Sequence, residues 1–136
     1  MTNPAGPSAA SGEGPQAAPG PEVREALAER RAAAATAVGT AEREYQRIVE
    51  SARWVSTDDE HDPDGPGLAV ERGLLDALRV QAHAQLVALD RALERLESGR
   101  YGRCEGCGGQ IGADRLAALP EALTCIDCAR AASRRR

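Results

Sequence analysis

Residues 56–67 read STDDEHDPDGPG, with five carboxylates (Asp58, Asp59, Glu60, Asp62 and Asp64) in seven positions and two prolines and two glycines at the end. The stretch decides the fold because of what flanks it. On its N-terminal side Leu27, Ala34, Ala41, Ile48 and Val55 recur every seven residues, with Val38, Tyr45 and Ala52 as a companion series. On its C-terminal side Leu68, Leu75, Ala82, Leu89 and Leu96 repeat the spacing, accompanied by Leu86 and Leu93. An apolar residue every seven positions keeps one stripe of a helix facing a partner helix, which is the pattern of a coiled coil. Pro63, Gly65, Pro66 and Gly67 exclude one straight helix through the break and therefore a dimer built on it. The two halves instead fold on each other. A turn centred between His61 and Asp62 sets Val55 opposite Leu68, Ile48 opposite Leu75, Ala41 opposite Ala82, Ala34 opposite Leu89 and Leu27 opposite Leu96. The centre of this pairing falls inside the acidic break, so the sequence predicts an intramolecular antiparallel hairpin of two helices, each roughly 50 Å long at about 1.5 Å per residue.

The rest of the chain fits a thin, all-α architecture. Its 136 residues include no Phe, one Trp and two Tyr, too few large side chains for a thick core, and Ala and Leu supply most of the apolar content. Gly20-Pro21 reads as a helix start, since Pro is tolerated in the first turn, and Ser98-Gly99 reads as a helix end with Gly99 in a left-handed cap. Gly39 and Gly73 each weaken a helix by about 1 kcal/mol, and Arg31, Arg72 and Arg79 interrupt the seam. Residues 1–20, MTNPAGPSAASGEGPQAAPG, hold too little apolar surface to offset their ordering entropy and read as a disordered tail. No segment has the length and hydropathy of a membrane span, and no charged start precedes an apolar run, so a cytoplasmic protein is the expectation. The net charge of −4 is uneven: residues 56–67 carry −5 and residues 125–136 carry +3. All 17 basic residues are Arg.

The four cysteines form two C-x-x-C pairs, Cys104/Cys107 in CEGC and Cys125/Cys128 in CIDC, seventeen residues apart. This spacing suits one Zn²⁺ held tetrahedrally by four thiolates, a structural site with no position left for a catalytic water. Disulfides, a redox-active pair or an iron–sulfur cluster are the alternatives; the first sits poorly with the missing secretory signal, and the second with the missing strand–helix unit. In so small a segment the ion would supply much of the folding energy, on the order of 10–16 kcal/mol.

From Tyr101 to Cys128, YGRCEGCGGQIGADRLAALPEALTCIDC resembles the zinc finger of the DksA/TraR family. The shared pattern is Tyr101-Gly102, the first Cys pair, Gly108, Ile111, Arg115-Leu116, Ala118 and Pro120, then the second Cys pair. The preceding hairpin extends the resemblance to about residues 21–136, and DDEHDPDG is similar to the tip of short actinobacterial members. The resemblance implies a transcription regulator that binds bacterial RNA polymerase. Its coiled coil would enter the secondary channel and bring the acidic tip, Asp58, Asp59, Glu60, Asp62 and Asp64, near the catalytic Mg²⁺. Asp59 and Asp62 match the D-x-x-D of the family tip, with Asp64 standing where the best-studied members carry Ala. Carboxylates are hard oxygen donors suited to Mg²⁺ and its surroundings. Crowding them costs about 0.7 kcal/mol for two charges about 6 Å apart even in water, and a cationic receiver explains why the run persists.

Other readings compete. The acidic segment is also compatible with a solvated turn. Glu60, Asp62, Asp64, Gly65 and Glu71 fall on EF-hand positions, although Glu replaces Asp at the first and two prolines stiffen the loop. Arg130, Arg134, Arg135 and Arg136 could make the finger an interaction or nucleic-acid-binding module through phosphate contacts, yet the acidic pI and scarce aromatics argue against an independent sequence-specific reader. Neither His61 nor His83 has a nucleophile beside it and no phosphate-cradling loop is present, so no catalytic residue is assigned and no enzyme is expected. Trp54 reads as seam packing or as a partner contact, since a thin rod cannot bury it fully. The expected organisation is a tail over 1–20, a hairpin over 21–98 with its acidic tip at 56–67, and a four-cysteine zinc finger with a basic tail over 99–136. It would act as a monomer carrying one structural Zn²⁺, with no membrane contact.

Overall fold

The computed structural model describes residues 19–55 and 65–136. Four helices follow in order: α1 over Pro21–Val55, α2 over Gly65–Glu97, α3 over Ala113–Ala118 and α4 over Ile126–Arg134. The N-terminal segment 1–18 and the acidic residues Asp58, Asp59, Glu60, Asp62 and Asp64 lie outside the described residues.

α1 starts at Pro21, where a missing N–H costs nothing, and the Val23 amide donates to the Gly20 carbonyl at 3.2 Å. Gly65, Pro66 and Gly67, assigned from sequence to the break, belong to the first turn of α2. A first turn has no intrahelical acceptors for its amides, so proline is compatible with it and the interruption is shorter than composition suggests. α2 ends at Glu97, and Gly99 takes φ +73°. The amides of Arg100 and Tyr101 then both reach back to the Arg95 carbonyl, at 2.8 and 3.0 Å. This left-handed closure is the one glycine favours, and it turns the chain back toward the helix it has just left.

The two long helices pack antiparallel. Arg24 pairs with Glu97 at 3.3 Å, Arg31 with Asp90, and Glu42 with both His83 at 2.9 Å and Arg79 at 3.6 Å. These contacts bracket the layers expected from the heptads, since Glu42 and His83 each follow a member of the Ala41–Ala82 pair. Leu27, Ala34, Leu89 and Ala92 form the buried core, with Val23, Leu86, Leu93, Leu96 and Tyr101 packed against it. Arg79 does not open the seam: its guanidinium lies over the Tyr45 ring at 4.4 Å and bonds Asp76 at 2.7 Å. The mutual ion pairs are mostly exposed and contribute roughly 0.2–1 kcal/mol each. They select register more than they stabilise it.

The core is deepest at the end where the helices meet the finger. Near the middle, Ala41 and Ala82 face each other, and the small side chains leave an open groove of about 620 Å³ lined by Ala34, Ala37, Leu75 and Leu78. Leu89 is 1% exposed while Val87, two residues away, is 58% exposed. Leu89→Ala is therefore expected to cost about 3 kcal/mol, and Val87→Ala less than about 0.5, read from urea midpoints of the zinc-loaded protein. Equal effects would mean that the seam does not run through Leu89.

Candidate metal centre and its mooring to the hairpin

The first cysteine knuckle is a backbone construction. The Cys104 amide donates to the Gly109 carbonyl at 2.7 Å, the Gly108 amide returns to the Cys104 carbonyl at 2.9 Å, and Arg103 and Gln110 form an isolated antiparallel bridge. Gly108 has φ +72°, a conformation costly for any residue with a Cβ, so the tight turn between the two ligands depends on it. The second knuckle is the start of α4: Cys125 is the N-cap, and its Sγ accepts from the Cys128 amide at 3.5 Å. Glu105 ties the knuckles together through its amide, which donates to the Leu123 carbonyl at 2.8 Å, and Arg115 Nε holds the Thr124 carbonyl at 2.8 Å. Ile111, 2% exposed, fills the small space beneath.

These bonds bring Cys104, Cys107, Cys125 and Cys128 together with all four Sγ atoms within 4.8 Å of one another, and none is in a disulfide. A tetrahedron of sulfur about 2.3 Å from zinc has edges of about 3.8 Å. The Cys107 and Cys125 sulfurs stand 3.9 Å apart. The donor set thus fits one thiophilic divalent ion.

Its electrostatics point the same way. The Cys104 thiol is lowered to about 6, chiefly because the Cys125 amide donates to its sulfur, at 3.2 Å, with the Gly106 amide adding a second donor at 3.3 Å. Cys128 is pushed up to about 12 by the neighbouring Cys125 and Cys104 sulfurs and by burial. Four sulfurs this close cannot all ionise unless a cation sits among them. Gly106 is the tight point of the cradle: a Cβ there would lie 2.9 Å from Cys128 Sγ and 3.1 Å from Cys128 Cβ. Gly106→Ala is expected to displace Cys128 and weaken metal affinity by about 10–100-fold, measured by competition with a chromophoric chelator; unchanged affinity would place the ion elsewhere.

The finger does not hang from α2; it is moored to it. Arg95, 8% exposed, sends one guanidinium nitrogen to Glu105 Oε1 at 2.9 Å and another to the carbonyls of Arg100 (3.0 Å) and Arg103. Arg91 bonds the same carboxylate at 2.9 Å, and Gln85 donates to Glu121 Oε1 at 2.7 Å. Tyr101 packs on the base of the hairpin core, and burial, with Glu121 nearby, raises its phenol above the usual range. None of Arg91, Arg95, Glu105 or Glu121 was legible as a site residue. Arg95 falls outside both heptad series, and only its fold-back partner gives it a role.

Trp54, in the last turn of α1, is 81% exposed, so it is not part of the seam. Among the described residues no helix is long and apolar enough to cross a membrane.

Comparison with known proteins falls on the same features. Residues 99–134 match the family described as the prokaryotic dksA/traR C4-type zinc finger. An uncharacterized protein of Aquifex aeolicus (strain VF5) is 46% identical over 56 residues, 41% of this chain and 39% of that protein. The RNA polymerase-binding transcription factor DksA of Escherichia coli (strain K12) is 45% identical over 40 residues, 29% of this chain and 26% of that protein. The chain thus matches well under half the length of these relatives. The solved structure of transcription factor DksA2 from Pseudomonas aeruginosa shares the fold, with a TM-score of 0.65 and 24% identity over 84% of this chain and 82% of that one. Residues 99–134 thus carry a zinc finger of the prokaryotic dksA/traR C4 type, with the cysteine pattern of that group, and the hairpin and finger together share the fold of DksA2.

Proposed function

We propose that the protein is a non-catalytic transcription regulator that binds bacterial RNA polymerase and inserts its acidic segment into the secondary channel near the catalytic Mg²⁺. The observation that carries this reading is architectural. Two antiparallel helices of 35 and 33 residues, roughly 50 Å long, are moored to the finger at one end, and the acidic segment joins their other ends. A rod of this reach can deliver carboxylates into a buried centre that a globular surface cannot enter. The names of the curated DksA relatives support the same partner. Asp59 and Asp62 are the acting pair in this reading, with Asp58, Glu60 and Asp64 in support, and exposed Trp54 contacts the polymerase beside them. Cys104, Cys107, Cys125 and Cys128 hold one structural Zn²⁺ per chain, which fixes the finger against the hairpin and takes no part in chemistry. The working unit is a monomer organised as hairpin 21–98 and finger 99–136.

The test replaces the active-site Mg²⁺ of the cognate polymerase with Fe²⁺ and maps hydroxyl-radical cuts along this chain. Cuts clustered at residues 57–66, suppressed by excess Mg²⁺, are the expected result. Binding without cuts there would leave the acidic segment a solvated turn and defeat the insertion reading.

A further inference from the structure

We propose that the C-terminal end of α4 docks on the phosphate backbone of duplex DNA, without regard to sequence, through Arg130, Arg134, Arg135 and Arg136. The inference does not depend on polymerase binding. It starts from the clustering of four exposed arginines within seven residues at the end of α4. Arg24, Arg31, Arg47, Arg79, Arg91 and Arg95 each have a carboxylate partner. Arg130, Arg134, Arg135 and Arg136 are exposed, and among the described residues no carboxylate pairs with any of them. Cys128, Ala129 and Ala131 are half-buried, whereas the four arginines are exposed and open to a partner outside the chain.

The spacing suits a phosphate strand. Arg130 and Arg134 are one helical turn apart, about 6 Å of rise, and two phosphate steps of one strand rise about 7 Å along the duplex axis. Guanidinium forks bond phosphate oxygens bidentately. The same segment has little to select one sequence over another. α4 carries no Asn or Gln to address base edges and no aromatic ring on which an unpaired base could stack; Tyr45 lies under Arg79 and Tyr101 is packed in the base of the hairpin. Cations at the end of α4 also complement its dipole, but that role is indifferent to DNA.

The experiment uses the zinc-loaded full chain and two fluorescein-labelled 20-base-pair duplexes of unrelated sequence, followed by anisotropy in 20–200 mM KCl. Both duplexes are expected to bind within about twofold of each other, with log K falling against log salt at a slope of about −3 to −4, the value for four phosphate contacts. The R130Q/R134Q/R135Q/R136Q variant loses at least about tenfold in affinity at 20 mM and most of the slope, with zinc content and helicity unchanged. Each single Arg→Gln change removes about 0.9 from the slope, so the series remains informative if the quadruple variant folds poorly. No binding by the wild type at 20 mM, an unchanged slope across the single variants, or displacement by charge-matched polyglutamate as effective as by unlabelled duplex would each overturn the proposal.

Discussion

Stripping the metal from the protein is expected to dissolve the finger and leave the hairpin. Residues 99–134 hold few large apolar side chains beyond Tyr101, Ile111 and Leu116, and the first knuckle is stabilised by a handful of backbone bonds. A core that small does not offset its ordering entropy unaided, and structural zinc contributes on the order of 10–16 kcal/mol in comparable four-ligand segments. Addition of excess chelator should therefore remove the helical signal of the six residues of α3 and nine of α4 and collapse the amide dispersion of the finger, while α1 and α2 stay helical. Cys128→Ser should do the same without chelator. Purified protein with less than about half a zinc per chain, or a finger unchanged by chelation, would refute a zinc-built centre.

The same site gives a pH dependence with a definite sign. In the assembled centre Cys128, pushed up to about 12, and Cys107, also raised, both favour their protonated forms at neutral pH, and the ion must displace those protons. Metal affinity then falls by at least about a hundredfold per pH unit as pH drops through neutrality. A plot of log affinity against pH that rises with a slope of about two or more is the expected form.

The second large effect concerns Arg95. Its guanidinium satisfies two backbone carbonyls and a carboxylate at a site almost closed to water. Arg95→Ala leaves those acceptors in a partly dry pocket and removes a packed alkyl stem, for an expected loss of about 3 kcal/mol in the stability of the zinc-loaded protein. The finger should also detach from α2: protection of the Glu105 and Tyr101 amides against hydrogen exchange falls, while protection in the far halves of α1 and α2 does not. Arg91→Ala, at an exposed pair to the same carboxylate, should cost under about 1 kcal/mol. If the two substitutions cost the same, Arg95 is not the mooring.

Where these effects fall separates two kinds of information. The hairpin was legible because a heptad repeat is a local statement about which face of each helix is apolar, and the break between the two series left one way to bring the faces together. The thiol set was legible because C-x-x-C is itself a local turn, and two such turns suit one tetrahedral ion. Leu27, Ala34 and Leu89 are buried as their series requires. Trp54 was ambiguous because its face depends on how closely two helices of small residues approach, which a seven-residue repeat does not encode.

By itself, then, the sequence determined the two long helices, their antiparallel partnership and the identity of the four thiols, each of them fixed by periodicity or by spacing along the chain. Only the tertiary structure decided that the finger folds back onto the last turns of α2, that Arg95 and Glu105 clasp it there, that Ala92 is buried at that end, and that the arginines of α4 face outward. Those outcomes depend on the direction in which the chain leaves the left-handed turn at Gly99 and on groups that meet after it turns. A buried guanidinium has no periodicity; its role appears only when three acceptors from another segment arrive around it.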